Sequence, residues 1–135
     1  MLALFVPSWI DRDSITVIVN GRRNEYPVAN DFLQISRVMK RGDAIEVQFK
    51  QISGVAPLLR PERTPGFHRY MHGPLVLGAD TVEEKKASLG TQIETLDAAC
   101  CRVDGVILTP LCDLTDRRDA AKRASSGSIQ VLFRD

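Results

Sequence analysis

Hydrophobic and polar residues alternate along three stretches within the first fifty residues of this chain. In Ser14–Gly21, the residues Ile15, Val17 and Val19 occupy every second position, and polar residues dominate the opposite face. The pattern recurs in two further stretches, Phe32–Ser36 and Ala44–Lys50. A period of two residues is typical of strands buried on one face. Each stretch is therefore predicted to be a β-strand.

Turn residues separate these strands. Asn20-Gly21 predicts a tight type I′ hairpin, because both central residues of that turn need a positive φ, and Gly42-Asp43 predicts another reversal. Further strands are predicted at Leu2–Val6, Phe67–Met71, Pro74–Leu77, Val106–Leu108 and Ile129–Phe133, with an edge strand around Leu58-Leu59. Short strands with turn residues between them indicate an all-β fold. We expect an antiparallel, jelly-roll-like β-sandwich forming a single domain over residues 1–135.

One short helix is predicted in the second half of the chain. Thr81 is followed three residues later by Glu84, which is a capping-box pattern, and Gly90 stands where a glycine would end the helix. A helix of about two turns over Val82–Leu89 depends on packing for its stability. The polar, charged segment Thr115–Ser126 is predicted to be either a surface helix or a mobile loop.

Composition excludes several classes of protein. The chain has 135 residues, enough for a core without covalent staples, and 18 basic against 17 acidic residues give a net charge of +1. A nucleic-acid-binding surface, which needs a basic excess, is not expected. The longest apolar run, Leu2–Val6, is far shorter than the roughly 20 residues of a membrane-spanning helix. We therefore expect a soluble protein. No basic leader or cleavage site of a signal peptide is present, and a strand beginning at the first residue suggests a piece of a longer chain.

Cysteines and histidines give no chemical motif. Cys100, Cys101 and Cys112 do not form the even framework of a secreted disulfide protein, and no Cys-x-x-Cys is present. His68 and His72 are four residues apart, but they lie in a predicted extended segment and lack the glutamate of a metalloprotease helix. The sequence predicts no catalytic residue, no metal site and no cofactor.

Three aromatic residues are candidates for contact with another molecule. Trp9, Tyr26 and Tyr70 are each predicted either to pack in the core or against a partner domain, or to stack on a sugar ring. Aromatic residues make up only 6% of the chain, which favours packing over an extended stacking platform.

The order of several motifs resembles the β-sandwich domain of the β-L-arabinofuranosidase family, glycoside hydrolase family 127 (GH127). The Pro-Ser-Trp element, the Asn-Gly hairpin strand, the Lys-x-Gly-Asp stretch with its preceding strand, and the Gly-Pro-Leu-Val-Leu segment follow one another as in that family. These elements are Leu4–Trp9, Val17–Gly21, Phe32–Asp43 and Tyr70–Leu77. The resemblance departs at Phe5, where the family commonly has arginine, and at Met39, where it commonly has tryptophan. We therefore expect a distant member, similar to the C-terminal β-sandwich of these enzymes.

The resemblance implies a role without catalysis. In the family, chemistry belongs to an (α/α)6 barrel in which a zinc-bound cysteine is the nucleophile, and no such barrel fits in 135 residues. Cys100-Cys101 follows the Gly-Pro-Leu-Val-Leu element, so the family's cysteine role does not transfer to this pair. The resemblance thus implies an accessory domain that packs on a catalytic barrel of a longer glycoside-hydrolase-like protein.

Two alternatives remain open at this point. The chain is instead an independent carbohydrate-binding module if Trp9, Tyr26 or Tyr70 forms an exposed platform for a sugar. It is a small enzyme if Cys100 or Cys101 is an exposed thiol of low pKa, as a cysteine nucleophile must be.

Overall fold

Antiparallel strands are the main regular structure of the described residues, which confirms the predicted all-β fold class. A computed structural model describes residues 1–115 and 128–135. The chain divides into two compact units, Met1–Ile52 (unit 1) and Ser53–Asp135 (unit 2). The single domain expected from the sequence stays a prediction.

Unit 1 consists of two three-stranded sheets. One has the strand order β1-β5-β4 and the other the order β3-β2-β6, and every pairing is antiparallel. The strands are β1 (Leu2–Phe5), β2 (Ile10–Val19), β3 (Arg22–Asn24), β4 (Val28–Ala29), β5 (Phe32–Ile35) and β6 (Ile45–Gln51).

The core of unit 1 follows from the alternation in the sequence. Val17 and Val19 of β2 and Leu33 and Ile35 of β5 are buried together, so the inner faces of both sheets contribute to one cluster. Hydrophobic side chains spaced two apart share a face of a strand. Their burial is therefore the direct result of the pattern that predicts the strands.

The hairpin between β2 and β3 is confirmed. Asn20 and Gly21 both have positive φ, 51° and 76°, and Val19 pairs with Arg22 across the turn. The Asn20 side chain extends the turn's contacts, since its amide donates to Asp43 Oδ1 over 2.8 Å and its oxygen accepts from the Ala44 N–H over 2.9 Å. The turn is thereby tied to the loop that precedes β6.

Unit 2 contains one sheet among its described residues. Its strand order is β10-β11-β12-β9-β8-β7, and β13 also pairs with β9. The strands are β7 (Ser53–Ala56), β8 (Arg69–His72), β9 (Leu75–Thr81), β10 (Glu94–Thr95), β11 (Cys101–Val103), β12 (Val106–Pro110) and β13 (Ser128–Gln130). A 3₁₀ turn spans Pro61–Arg63, and residues 111–115 are helical.

The core of unit 2 is built around two aromatic residues. Tyr70 and Phe133 lie edge to face with ring centroids 5.8 Å apart, and Leu77, Val103 and Leu108 are buried in the same cluster. Edge-to-face pairs of this kind are favourable beyond the area that they bury. The last residues of the chain thereby become part of the core.

The prediction of a helix over Val82–Leu89 is wrong, because no helix forms there. This segment is irregular because its backbone bonds to groups distant in sequence instead of to residues four positions away. The Lys85 N–H donates to Gln130 Oε1 over 2.8 Å, and the Ala87 N–H donates to the Arg134 carbonyl over 3.2 Å. A helix of two turns has too few internal bonds to compete with such partners.

Smaller differences concern strand positions. No strand forms at Leu58-Leu59, because β7 ends before Pro57, and proline cannot donate to a sheet. The very short strands β3, β4, β10 and β11 were not expected from the pattern. The predicted surface helix or loop, Thr115–Ser126, lies outside the described residues except for Thr115.

Within the described residues, no helix is long and apolar enough to cross a membrane.

Candidate functional site

Tyr70 lies in the core of unit 2 and presents no ring face to solvent. It is 1% exposed, and its hydroxyl donates toward the carbonyls of Ala87 and Ser88, 3.2 and 3.1 Å away. Burial is the main cause that raises the pKa of Tyr70 to about 12, because the charged phenolate is disfavoured away from water. This ring is therefore placed for packing and is not available for stacking on a sugar from solvent.

Trp9 and Tyr26 belong to unit 1, and both are half-buried against its core. The Trp9 ring is tilted against Phe49 with a centroid distance of 6.3 Å, and its carbonyl accepts from the Ile52 N–H over 2.8 Å. Each ring is part of the hydrophobic cluster and also partly open to solvent. Both residues therefore combine a packing role with a surface that another molecule can contact.

An irregularity in β2 shapes the surface near Tyr26. Asp11 pairs with Lys50 and Thr16 with Gln48, so four residues of β2 stand opposite a single residue of β6. Ser14 holds this bulge, since its hydroxyl donates to the Asp11 carbonyl over 2.6 Å and accepts from the Lys50 N–H over 2.7 Å. Bulges re-aim side chains and are common next to functional sites.

The bulge forms one wall of a groove, which we call the β2–β3 groove. Its volume is about 280 Å³. Its lining comes from the bulge, from the middle of β2, and from β3 with the residues that follow. The lining residues are Arg12, Asp13, Ile15, Thr16, Val17, Arg23, Asn24, Glu25, Tyr26 and Val28. Of the three aromatic candidates, Tyr26 alone lines this groove. Sequence reasoning missed the groove because the predicted strand began only at Ser14, whereas β2 begins at Ile10 and contains the bulge.

A pair of exposed phenylalanines lies elsewhere on unit 1. Phe5 of β1 pairs with Phe32 of β5, their ring centroids are 5.6 Å apart, and they are 63% and 41% exposed. Leu4 and Val6, the neighbours of Phe5, contribute to the core. The alternation of β1 could have placed Phe5 on the outer face, although sequence reasoning noted it only as a departure from the family pattern.

The cysteines show different environments. Cys101 is fully buried, and burial raises the pKa of its thiol to about 11. Cys100 is half-buried, Cys112 is exposed, and all three thiols are free. Cys101 is a poor nucleophile at neutral pH because only the thiolate attacks. Within residues 1–115 and 128–135, no group of three or more His, Cys, Asp or Glu side chains is placed to hold a metal ion.

The carboxylates of Asp43 and Asp104 accept hydrogen bonds from neighbouring loops. Hydrogen bonds from the Asn20 amide and the Lys40 N–H lower the pKa of Asp43. Hydrogen bonds from the Thr91 hydroxyl and the Ser88 N–H, each 2.6 Å long, lower the pKa of Asp104. Both groups stay ionised at neutral pH, so neither is suited to act there as a general acid.

Comparison with known proteins supports the resemblance in the sequence. Residues 1–51 match the model of the GH127 middle domain of beta-L-arabinofuranosidases. A solved structure described as a GH127 beta-arabinofuranosidase shares the fold with a TM-score of 0.52 and 20% sequence identity. The match covers 90% of this chain but only 23% of the solved chain. Among curated proteins, none matches this chain significantly.

The matched description adds a detail. The motif order predicts a C-terminal sandwich, whereas the matching segment is described as a middle domain. The predicted family resemblance is confirmed by the sequence match and by the shared fold. Residues 1–51 are thus similar to the GH127 middle domain, and the chain shares its fold with a solved GH127 protein.

Proposed function

We propose that this chain is a non-catalytic accessory domain of a larger glycoside-hydrolase-like protein, and that it packs on a catalytic (α/α)6 barrel. In this proposal residues 1–135 act together as one domain. Two findings support a larger parent protein. The matching family model describes a middle domain, and the chain spans only 23% of the solved relative.

The observation that carries the proposal is the Phe5–Phe32 pair. Both rings lie on the outer face of the β1–β5 sheet, and both are exposed, although they contact each other edge to face. Covering the remaining exposed area of two such rings contributes roughly 2–3 kcal/mol to association. Exposed aromatic residues that lie together are typical anchors of interfaces. A packed barrel domain is an occupant that gives this pair a function.

The cysteine environments also support an accessory role. A small enzyme with a Cys101 nucleophile would need a thiolate, and the raised pKa of Cys101 opposes its formation. Cys100 is half-buried, and its Sγ lies 3.7 Å from the Ala98 carbonyl oxygen and 3.8 Å from Thr109 Oγ1. Neither is a base that could take the proton of the thiol.

A hydrolysis assay tests the absence of catalysis. The purified chain is incubated with an aryl β-L-arabinofuranoside and with a panel of other aryl glycosides, and release of the aryl alcohol is measured. We expect no turnover above the uncatalysed rate. Turnover that survives purification and disappears in Cys100→Ala or Cys101→Ala would establish the small enzyme and contradict the proposal.

A further inference from the structure

We propose that the β2–β3 groove of unit 1 binds one ring of a neutral saccharide. The proposal is independent of the docking role, because it concerns a surface formed by the β2 bulge and β3 and not the Phe5–Phe32 pair. Three properties of the groove carry it: the distribution of apolar and polar groups, the balance of charge, and the volume.

The groove combines apolar walls with a polar rim. Ile15, Tyr26 and Val28 are half-buried and provide apolar surface inside the groove, whereas Val17, which also lines it, is buried. Arg12, Asp13, Arg23 and Glu25 are exposed around them. A sugar ring has the matching division, since its C–H groups form an apolar face and its hydroxyls project from the edge. Aromatic side chains with a polar tip suit such ligands because they contact both parts.

Charges around the groove balance. Arg12 and Arg23 contribute two positive charges, and Asp13 and Glu25 contribute two negative charges. Arg12 is also paired with Asp31. An anion would meet the carboxylates of Asp13 and Glu25, and a cation would meet the Arg23 guanidinium, so neither kind of ion is matched by all the charged groups of the groove. Hydroxyl groups both donate and accept hydrogen bonds, and a ring of hydroxyls satisfies guanidinium and carboxylate groups together.

Several of these groups are available to a ligand. Among the described residues, the Arg23 guanidinium and the carboxylates of Asp13 and Glu25 have no ion-pair partner. The bulge that positions Asp13 is fixed by its own hydrogen bonds, including one of 3.2 Å from the Asp13 N–H to Asp11 Oδ1. The groove therefore presents fixed backbone and unpaired polar side chains, as ligand sites commonly do.

The volume of the groove limits the size of the ligand. At about 280 Å³ it lies at the lower end of the volumes of small-molecule sites. One ring fits such a space, whereas a long oligosaccharide would extend beyond it. We therefore expect weak binding, with most of the contact made to a single terminal residue of a glycan.

An NMR titration of the ¹⁵N-labelled chain tests the proposal. The probes are L-arabinose, D-galactose, D-xylose and D-glucose with their methyl glycosides, and inorganic phosphate is titrated in parallel. For at least one saccharide we expect saturable shifts of amide signals at Asp13, Thr16, Asn24 and Tyr26. Phosphate is expected to leave these signals unchanged.

Substitutions locate the binding. Arg23→Ala removes an exposed side chain of the groove, and it is expected to raise the dissociation constant for the saccharide up to about tenfold. Arg22→Ala is the matched control, because Arg22 is an exposed arginine of the same strand that does not line the groove. It is expected to leave the dissociation constant unchanged. Tyr26→Leu keeps apolar volume in the core while removing the ring, and it is expected to weaken binding as Arg23→Ala does.

Three outcomes would overturn the proposal. The first is that no saccharide shifts the groove signals at concentrations up to the limit of solubility. The second is that phosphate shifts them and the saccharides do not, which indicates an anion site. The third is saccharide binding that is unaffected by Arg23→Ala and lost in Trp9→Phe, which places the site at Trp9 instead.

Discussion

Substituting Tyr70 by phenylalanine tests the structural role of its buried hydroxyl. The hydroxyl lies 3.1–3.2 Å from two carbonyl oxygens in the core of unit 2, and one of them, on Ala87, also accepts a 2.6 Å hydrogen bond from His68 Nε2. Tyr70→Phe therefore removes one donor but leaves Ala87 satisfied. The free energy of unfolding at neutral pH is expected to fall by about 1 kcal/mol, as for the loss of one net hydrogen bond.

In alkaline solution the same substitution is expected to have the opposite effect on the free energy of unfolding. The pKa of Tyr70 is about 12 in the folded protein, against an ordinary value of 10. The folded state therefore holds this proton more tightly than the unfolded chain. The resulting stability is present in full below the ordinary pKa and is lost as the pH rises toward the folded pKa. Two pK units correspond to about 2–3 kcal/mol, and the phenylalanine variant does not lose this amount.

The stability curves of the two proteins should therefore cross in alkaline solution. Urea unfolding is followed by the ¹³C–¹H methyl signals of Leu75 and Leu77 in β9, whose carbon-bound protons do not exchange with water, at pH values from about 7 to about 11.5. The variant is expected to be less stable at neutral pH and more stable at the alkaline end. The Cys101 thiol, whose pKa is also raised, titrates in both proteins and largely cancels in the comparison. Parallel curves, or a variant that is the more stable at neutral pH, would refute the placement of Tyr70.

Three further predictions follow from individual residues. Gly78→Ala should destabilise unit 2 by about 1–3 kcal/mol, because a Cβ there would lie 2.9 Å from the carbonyl oxygen of Gln130 in β13. The control Gly54→Ala, also in a strand, meets no atom within 4 Å and should be nearly neutral. Equal urea midpoints for the two variants would disprove this prediction. Gly21→Ala should lower the free energy of unfolding by about 1 kcal/mol through backbone strain alone, since Gly21 has a φ of +76° and a Cβ there would meet no atom within 4 Å. An unchanged thermal midpoint would count against the hairpin. In thiol labelling of the native chain, Cys112 should react first and Cys101 only at the rate of unfolding; rapid labelling of Cys101 would contradict its burial.

The parts of the fold that were predictable depend on local signals. The strand β2 has a strict alternation at Val17 and Val19, and Asn20-Gly21 is one of the few dipeptides that a type I′ hairpin accepts readily. In both cases the information lies within a few consecutive residues. The resemblance to GH127 depends on the same elements, which is why it covers the first part of the chain best.

The wrong predictions concern segments whose conformation depends on contacts with residues distant in the sequence. The capping-box pattern of Thr81 and Glu84 predicts a helix over Val82–Leu89, but the backbone there bonds to the end of the chain. The residues around Lys85 in the sequence do not predict that its backbone bonds to the Gln130 side chain. For the same reason the sequence could not tell that Tyr70 faces inward, since its neighbours in the strand are also long side chains.

The candidate site was predictable only in part. Tyr26 was identified as an aromatic residue able to contact a sugar, and the structure places it in the β2–β3 groove. The groove itself depends on the bulge between Asp11 and Thr16, which exists only because β6 pairs with both ends of β2. Pairing across about thirty-five residues leaves no trace in the local pattern.

The central claim is that the chain serves as a docked accessory domain of a barrel enzyme. Its most direct test is co-purification with the helical-barrel region encoded in the same reading frame, expressed as a separate polypeptide. We predict a complex that Phe5→Lys weakens and that Val38→Lys, a change at an apolar residue that is 82% exposed and outside the pair, leaves intact. A reading frame without such a barrel, or a complex indifferent to Phe5→Lys, would contradict the account.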